Sequence, residues 1–181
     1  TSVEEAVKLN AVGVSVSVYV DSPHQAQTIR NLGKLANKAS KYGLLVLGIT
    51  AVGANLEKKV KGEGGGDEKD FDPGRYFAHA GRIIQENGAN ILKTYYCRNF
   101  NRVREGVQIP IVVAGGKKVS EREALQYTHD SVAAGVEGVD MGRNIFQADN
   151  PVAMIKAVRA IVHDGATPDQ AYAAYRASPK A

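Results

Sequence analysis

Lys93 stands in the stretch "ANILKTYYC" (89–97), between Ile91 and Leu92 on one side and Tyr95 and Tyr96 on the other. Burying a charge is costly, and lysine is rarely found fully inside a protein without a partner or a task. An amine in an apolar strand has two uses. Desolvation favours its neutral form, which can attack a carbonyl carbon. Alternatively, the chain snorkels out to water or pairs with a carboxylate. The residues alone leave both readings open. Ile91, Lys93 and Tyr95 share one face of the strand, and Leu92, Thr94 and Tyr96 share the other. Alternation therefore does not say which face is inside.

Two glycine-bearing strand ends offer a second kind of chemistry. In "VVAGGKKVSE", Gly115 and Gly116 follow an apolar run and precede a capped helix. Backbone without side chains lets amides approach an anion closely. In "GVDMGRNIFQ", Gly142 is followed by Arg143, whose guanidinium presents a fork of donors suited to phosphate, and by Asn144, a residue able to cap a short helix. The plain alternatives are an ordinary turn for the glycine pair and a salt bridge for Arg143. Two such strand ends on successive units carry more weight together than either does alone.

Weaker candidates lie nearby. Thr50 and Gly53 follow another strand, on the rim where Lys93 would lie, and either line a pocket or form a plain turn. Tyr95 is placed to donate a proton near Lys93, although core packing is the commoner fate of such a tyrosine. The four histidines, His24, His79, His129 and His163, show no metal-ligand spacing, so no metal is expected. Asp140 calls for a structural partner if it is buried. The run "GEGGGDEKD" reads as a solvated loop, or as a lid.

The elements that would position these residues repeat five times as an apolar run followed by a helix-like segment. The strand candidates are "VGVSVSVYV" (12–20), "LLVLGIT" (44–50), "NILKTYY" (90–96), "IPIVVAGG" (109–116) and "VEGVDMG" (136–142). Helical spacing follows in 24–43, 75–88, 120–135, 150–165 and 167–178. Ser120 with Glu123 forms a capping box, Pro151 suits a first turn, and Thr167 suits a cap. Continuously apolar strands alternating with helices imply a parallel sheet covered by helices.

Two architectures satisfy that pattern. An open doubly wound sheet carries its glycine-rich loop after the first strand. Here "DSPHQ" follows that strand, and the glycine signals fall after the last two, where a (β/α)8 barrel places its phosphate site. The expected fold is therefore α/β, a (β/α)8 TIM barrel. A full barrel takes about 250 residues, and this chain has 181. The chain is thus read as the C-terminal five βα units of one barrel domain spanning 1–181, the first three units being cleaved off or supplied by another polypeptide.

Composition sets broad limits. Apolar residues make up 44% of the chain, ordinary for a globular protein. The formal charge is +4 and the isoelectric point about 9.1, with Lys and Arg scattered. No basic run is interleaved with aromatics, so nucleic acid is not the expected partner; the balance suits a phosphorylated small molecule. Cys97 is the only cysteine, which excludes an intrachain disulfide and fits a reducing compartment. No apolar run is long enough to span a bilayer, and a soluble, cytoplasmic protein is expected.

Taken together, "ILKTYY", "IVVAGGKK" and "GVDMGRNIFQ" resemble the DhnA-type class I aldolase family, grouped with the DeoC/LacD aldolases, along essentially the whole chain. Within it, the sequence looks most like the thiolases that act on 3-hydroxy-5-phosphonooxypentane-2,4-dione in autoinducer-2 processing. Archaeal-type class I fructose-bisphosphate aldolases are a more distant likeness. The resemblance implies that Lys93 is the Schiff-base lysine on the sixth barrel strand. It implies that Gly115, Gly116, Gly142 and Arg143 bind phosphate on strands seven and eight. Where archaeal-type aldolases carry a catalytic tyrosine, Thr50 stands here, as in the thiolases. The family's acidic residue and histidine of the first barrel strand have no counterpart in this sequence. The implied reaction is acetyl transfer to coenzyme A from a phosphorylated dione, with no metal and no bound cofactor. The alternatives are a fructose-bisphosphate-type aldolase, or an inactive barrel fragment. A homo-oligomer, in the family a decamer, is also implied.

Overall fold

A computed structural model of the protein describes residues 2–53 and 71–179. The run "GEGGGDEKD", read above as a loop or lid, lies outside the described residues. The chain divides into two compact units, Thr1–Ile111 and Val112–Ala181. The strand order in the sheet is that of the sequence.

In the first unit, helix α1 (Val3–Lys8) opens on a capping box: the Ser2 hydroxyl accepts from the Glu5 N–H, and the Glu5 carboxylate accepts from the Ser2 N–H. Strand β1 (Gly13–Val18) and helix α2 (Gln25–Ala39) follow. A short 3-10 turn then ends at Gly43, whose φ of 68° is the left-handed conformation that lets the chain reverse into the next strand. Strand β2 (Leu45–Thr50) pairs with β1 in parallel, Gly13 opposite Leu45 through Val18 opposite Thr50. Helix α3 (Pro73–Glu86) has Asp72 as its cap and proline at the first turn. Strand β3 (Ile91–Thr94) then pairs in parallel with β2, placing Lys93 opposite Ile49.

Helix α4 (Asn101–Gly106) is one element the sequence reading did not separate. Its six residues are mostly polar, and Val103, 0% exposed, is the only apolar side chain it buries. So short a segment carries no periodicity to read. The strands also prove shorter than their apolar runs, since Tyr95 and Tyr96 follow β3 rather than extend it.

The second unit pairs β4 (Ile111–Ala114) with β5 (Gly138–Asp140) in parallel, Ala114 opposite Asp140. Helix α5 (Glu121–Ala133) begins at the Ser120–Glu123 capping box read from the sequence. After the single turn α6 (Arg143–Phe146) come α7 (Pro151–Asp164) and α8 (Pro168–Ala177). Leu125, Met154, Ile161, Ala171 and Tyr175 form the core of this unit. Outside it, Arg122 pairs with Asp169 at 2.7 Å.

Packing in the first unit is tight enough to require glycine where strand meets helix. A Cβ on Gly48 would collide with Ile84 of α3 and touch Ala89. Gly48→Ala is therefore expected to destabilise the fold by about 1–3 kcal/mol through overpacking, read as a lower urea midpoint at unchanged slope. At the surface, Glu4 of α1 meets Lys38 of α2 at 2.9 Å. The hydrogen bond from Lys38 holds the Glu4 carboxyl down at about 2, against an ordinary 4.5. A depressed folded pKa means that this tie is fully present above pH 4.5 and is lost as pH falls through about 2. Solvent screening keeps its contribution small. An NMR titration of the Glu4 carboxyl should show the depressed midpoint, and Lys38→Met should return it to the ordinary range.

Candidate functional site

The face occupied by Lys93 follows from its neighbours. Leu92 is 0% exposed, and its Cδ2 lies 2.7 Å from where a Cβ on Gly81 of α3 would stand. Leu92 therefore points at the helix layer, as does Gly48, set against Ile84. Successive strand residues alternate, so Lys93 and its register partner Ile49 point the opposite way, to the face of the sheet away from the helices. One strand further, Ser17 is the partner of Ile49. Ser17, Ile49 and Lys93 thus form one row across three strands on that face. Lys93 is the penultimate residue of β3, at the C-terminal end of the parallel strands. The sequence left the choice of face open, and packing against α3 makes it.

Ser17 was missed as a residue of the Lys93 row. The signal was present in "VSVSV", where serines alternate with valines and mark the face that the helices do not cover.

Thr50 requires a correction. It lies on the helix side, two residues beyond Gly48, and is 1% exposed. Its hydroxyl lies 2.9 Å from the Thr94 hydroxyl and 3.3 Å from the Lys93 carbonyl oxygen, and its one proton serves either acceptor. Thr94 is itself 0% exposed. Thr50 therefore ties the ends of β2 and β3 together beneath Lys93 rather than lining a pocket on the lysine's face. Gly53 is exposed.

Tyr95 follows the strand, and its ring packs on Phe77 of α3 with centroids 5.6 Å apart. Phe77 also meets Tyr76 edge-on at 5.2 Å, and the Tyr76 hydroxyl donates to the Val20 carbonyl at 2.9 Å. The Tyr95 ring thus packs against α3. Close by in sequence, burial, reinforced by the Asp72 charge, pushes the Cys97 thiol up to about 12. The thiol stays protonated at neutral pH and is no competing nucleophile.

In the second unit, Gly115 is a close-approach position and Gly116 a left-handed one. A Cβ on Gly115 would stand 2.5 Å from the Met141 Cγ, and Gly116 has a φ of 66°. Gly142 is the residue before α6 and makes no side-chain cap. Arg143 Nη2 donates to the Gly116 carbonyl at 2.8 Å, so the arginine reaches the glycine pair rather than a carboxylate. Asn144 is not the cap that the sequence suggested. It lies inside α6, 2% exposed, with its side chain turned into the 115–119 turn. Within that turn, the Lys118 side chain donates to Glu121 at 2.8 Å, which holds the Glu121 carboxyl below its usual range. Asp140 is exposed, so the condition that called for a buried partner does not arise.

Among the described residues, no group of three or more His, Cys, Asp or Glu is arranged to hold a metal ion. Among the same residues, no helix is long and apolar enough to cross a membrane.

Comparison with known proteins bears on the family and the fold. The model of the DeoC/LacD family aldolases matches residues 1–148. An uncharacterized aldolase of Pasteurella multocida is 43% identical over 175 residues, covering 96% of this chain and 56% of the relative. The 3-hydroxy-5-phosphonooxypentane-2,4-dione thiolase of Escherichia coli K12 is also 43% identical over 175 residues, covering 96% of this chain and 55% of the relative. The chain thus spans about half the length of the curated relatives it matches. Among solved structures, the fructose-bisphosphate aldolase from Slackia heliotrinireducens superposes with a TM-score of 0.81 at 25% identity, covering 97% of this chain and 58% of that one. An archaeal fructose 1,6-bisphosphate aldolase gives 0.75 at 25% identity, covering 91% and 63%. The five parallel strands and their helices are accordingly part of a (β/α)8 barrel of the class I aldolase kind. The chain belongs to the DeoC/LacD family of aldolases.

Proposed function

We propose that this chain carries the imine-forming half-reaction of a class I aldolase-family enzyme acting on a phosphorylated ketone, with Lys93 as the nucleophile. One observation carries the reading. Leu92 and Thr94 are buried on the helix side, which leaves Lys93 on the opposite face at the C-terminal end of a parallel strand, where barrel enzymes do their chemistry. The phosphate-bearing end of the substrate is assigned to Gly115, Gly116, Gly142 and Arg143. Close-approach amides and a guanidinium suit an anion.

The 43% identical thiolase favours acetyl transfer over aldol cleavage. In 3-hydroxy-5-phosphonooxypentane-2,4-dione, the Lys93 amine adds to the C4 ketone and water leaves, giving a protonated imine. The thiol of coenzyme A adds to C2. The C2–C3 bond then breaks, acetyl stays on sulfur, and the electron pair passes into an enamine at C3–C4. Protonation at C3 and hydrolysis return the free amine and release dihydroxyacetone phosphate. The protonated imine is a stronger electron sink than the free ketone. Coenzyme A is a co-substrate in this scheme, and no metal is used. The likeness to fructose-bisphosphate aldolases supports a second reading, in which the same imine drives retro-aldol cleavage of a sugar phosphate. A homo-oligomer, implied by the family resemblance, and a cytoplasmic location, expected from composition, accompany the proposal.

Incubation with dihydroxyacetone phosphate followed by borohydride should leave one stable adduct, located on Lys93 by mass spectrometry. Lys93→Met should abolish it, and an adduct elsewhere, or none, would sink the assignment. Product formation with the dione phosphate that requires coenzyme A selects the thiolase, whereas cleavage without it selects the aldolase. Arg143→Ala should raise the concentration of dihydroxyacetone phosphate needed for half-maximal trapping by about 10-fold or more, as expected for losing a charged hydrogen bond.

A further inference from the structure

Asn144 uses its whole side-chain amide on backbone. Its Nδ2 donates to the Gly115 carbonyl at 2.7 Å and to the Lys117 carbonyl at 3.1 Å. Its Oδ1 accepts from the Val119 N–H at 2.9 Å. At 2% exposure, an asparagine left without these bonds would be costly. Three contacts on alternate residues of one turn also do more than satisfy Asn144. A trans peptide is planar, so each carbonyl and the N–H of the next residue point in opposite directions. Drawing the Gly115 and Lys117 carbonyls toward Asn144 therefore turns the Gly116 and Lys118 N–H groups away from it. Gly116, at a φ of 66° and with open space around it, is the residue that lets the turn take this course. Arg143, next to Asn144 in sequence, meanwhile holds the Gly116 carbonyl at 2.8 Å. A single helical turn after β5 thus fixes both the shape of the turn after β4 and the direction of its amides.

We propose that Asn144 is a positioning residue that aims the Gly116 and Lys118 amides at the phosphate of the substrate. This rests on the phosphate role assigned above to the glycine pair. Asn144 need not touch the ligand; it acts through the turn. Asparagine is the side chain suited to the task, because it offers two donors and an acceptor from one short stem. An aspartate of the same size would set an oxygen against two carbonyl oxygens and reverse the effect.

The test titrates inorganic phosphate into the full chain and follows backbone amides by NMR. The wild-type chain should show saturable shifts centred on Gly116 and Lys118; shifts confined to scattered lysines, or none, overturn the proposal. Asn144→Asp should weaken phosphate binding about tenfold, and Asn144→Ser, which keeps one hydrogen-bonding group, should fall between the two. Borohydride trapping on Lys93 provides a second readout. The preference for dihydroxyacetone phosphate over dihydroxyacetone should drop about tenfold in Asn144→Asp, whereas a role in general stability would weaken both ketones alike. If either variant fails to fold, the wild-type shift pattern still decides. Phosphate binding that depends on Asn144 with no adduct on Lys93 would overturn the imine reading alone. An adduct without amide shifts at Gly116 and Lys118 would overturn the Asn144 reading alone.

Discussion

A pleated strand has only two sides, and in the first unit helix α3 claims one of them. Leu92 and Gly48 must face it because nothing else fits between strand and helix: Gly81 on the helix and Gly48 on the strand leave no room for a Cβ. The residues between them are consequently turned the other way. Lys93 reaches its face because Leu92 is fixed on the opposite one. Register extends the constraint sideways, so that Ser17 and Ile49 lie in the same row as the lysine. A one-residue slip of β3 would exchange the two sets of side chains and bury the amine against α3.

The strand ends are where this order would be lost, and buried polar side chains hold them. Thr50 and Thr94 share a hydrogen bond on the helix side, directly below the peptide of Lys93. In the second unit, Asn144 does the same for the turn after β4, and Tyr127 donates from α5 to the Ala114 carbonyl at 2.8 Å. Each device adds a side-chain hydrogen bond at the end of a strand. Such bonds fix direction as well as energy.

The same burial acts on a thiol and a hydroxyl of the first unit. Cys97 lies only four residues beyond Lys93, yet its thiol sits where the anion is disfavoured. Tyr76 is pushed in the same direction, to about 12, by desolvation. Burial thus holds the Cys97 thiol and the Tyr76 hydroxyl in their neutral forms.

Much of the architecture was legible in the sequence, because parallel strands covered by helices leave long apolar runs, and capping residues mark helix starts whatever the surroundings. The runs containing Lys93, Gly115 and Gly142, the Ser120–Glu123 box and the Thr167 cap all belong to this class. So does the placing of the glycine signals after the last two strands, which favoured a barrel over an open sheet. Tertiary structure decided what depends on a partner distant in sequence. Which side of β3 is covered depends on Gly81 and Ile84, so the face of Lys93 could not be read from "ILKTYY". The roles of Thr50, paired with Thr94, and of Asn144, bound to a turn 25 to 29 residues away, arise only when separate strands are brought side by side. Periodicity along one segment records what that segment buries, and only the packed molecule shows against what.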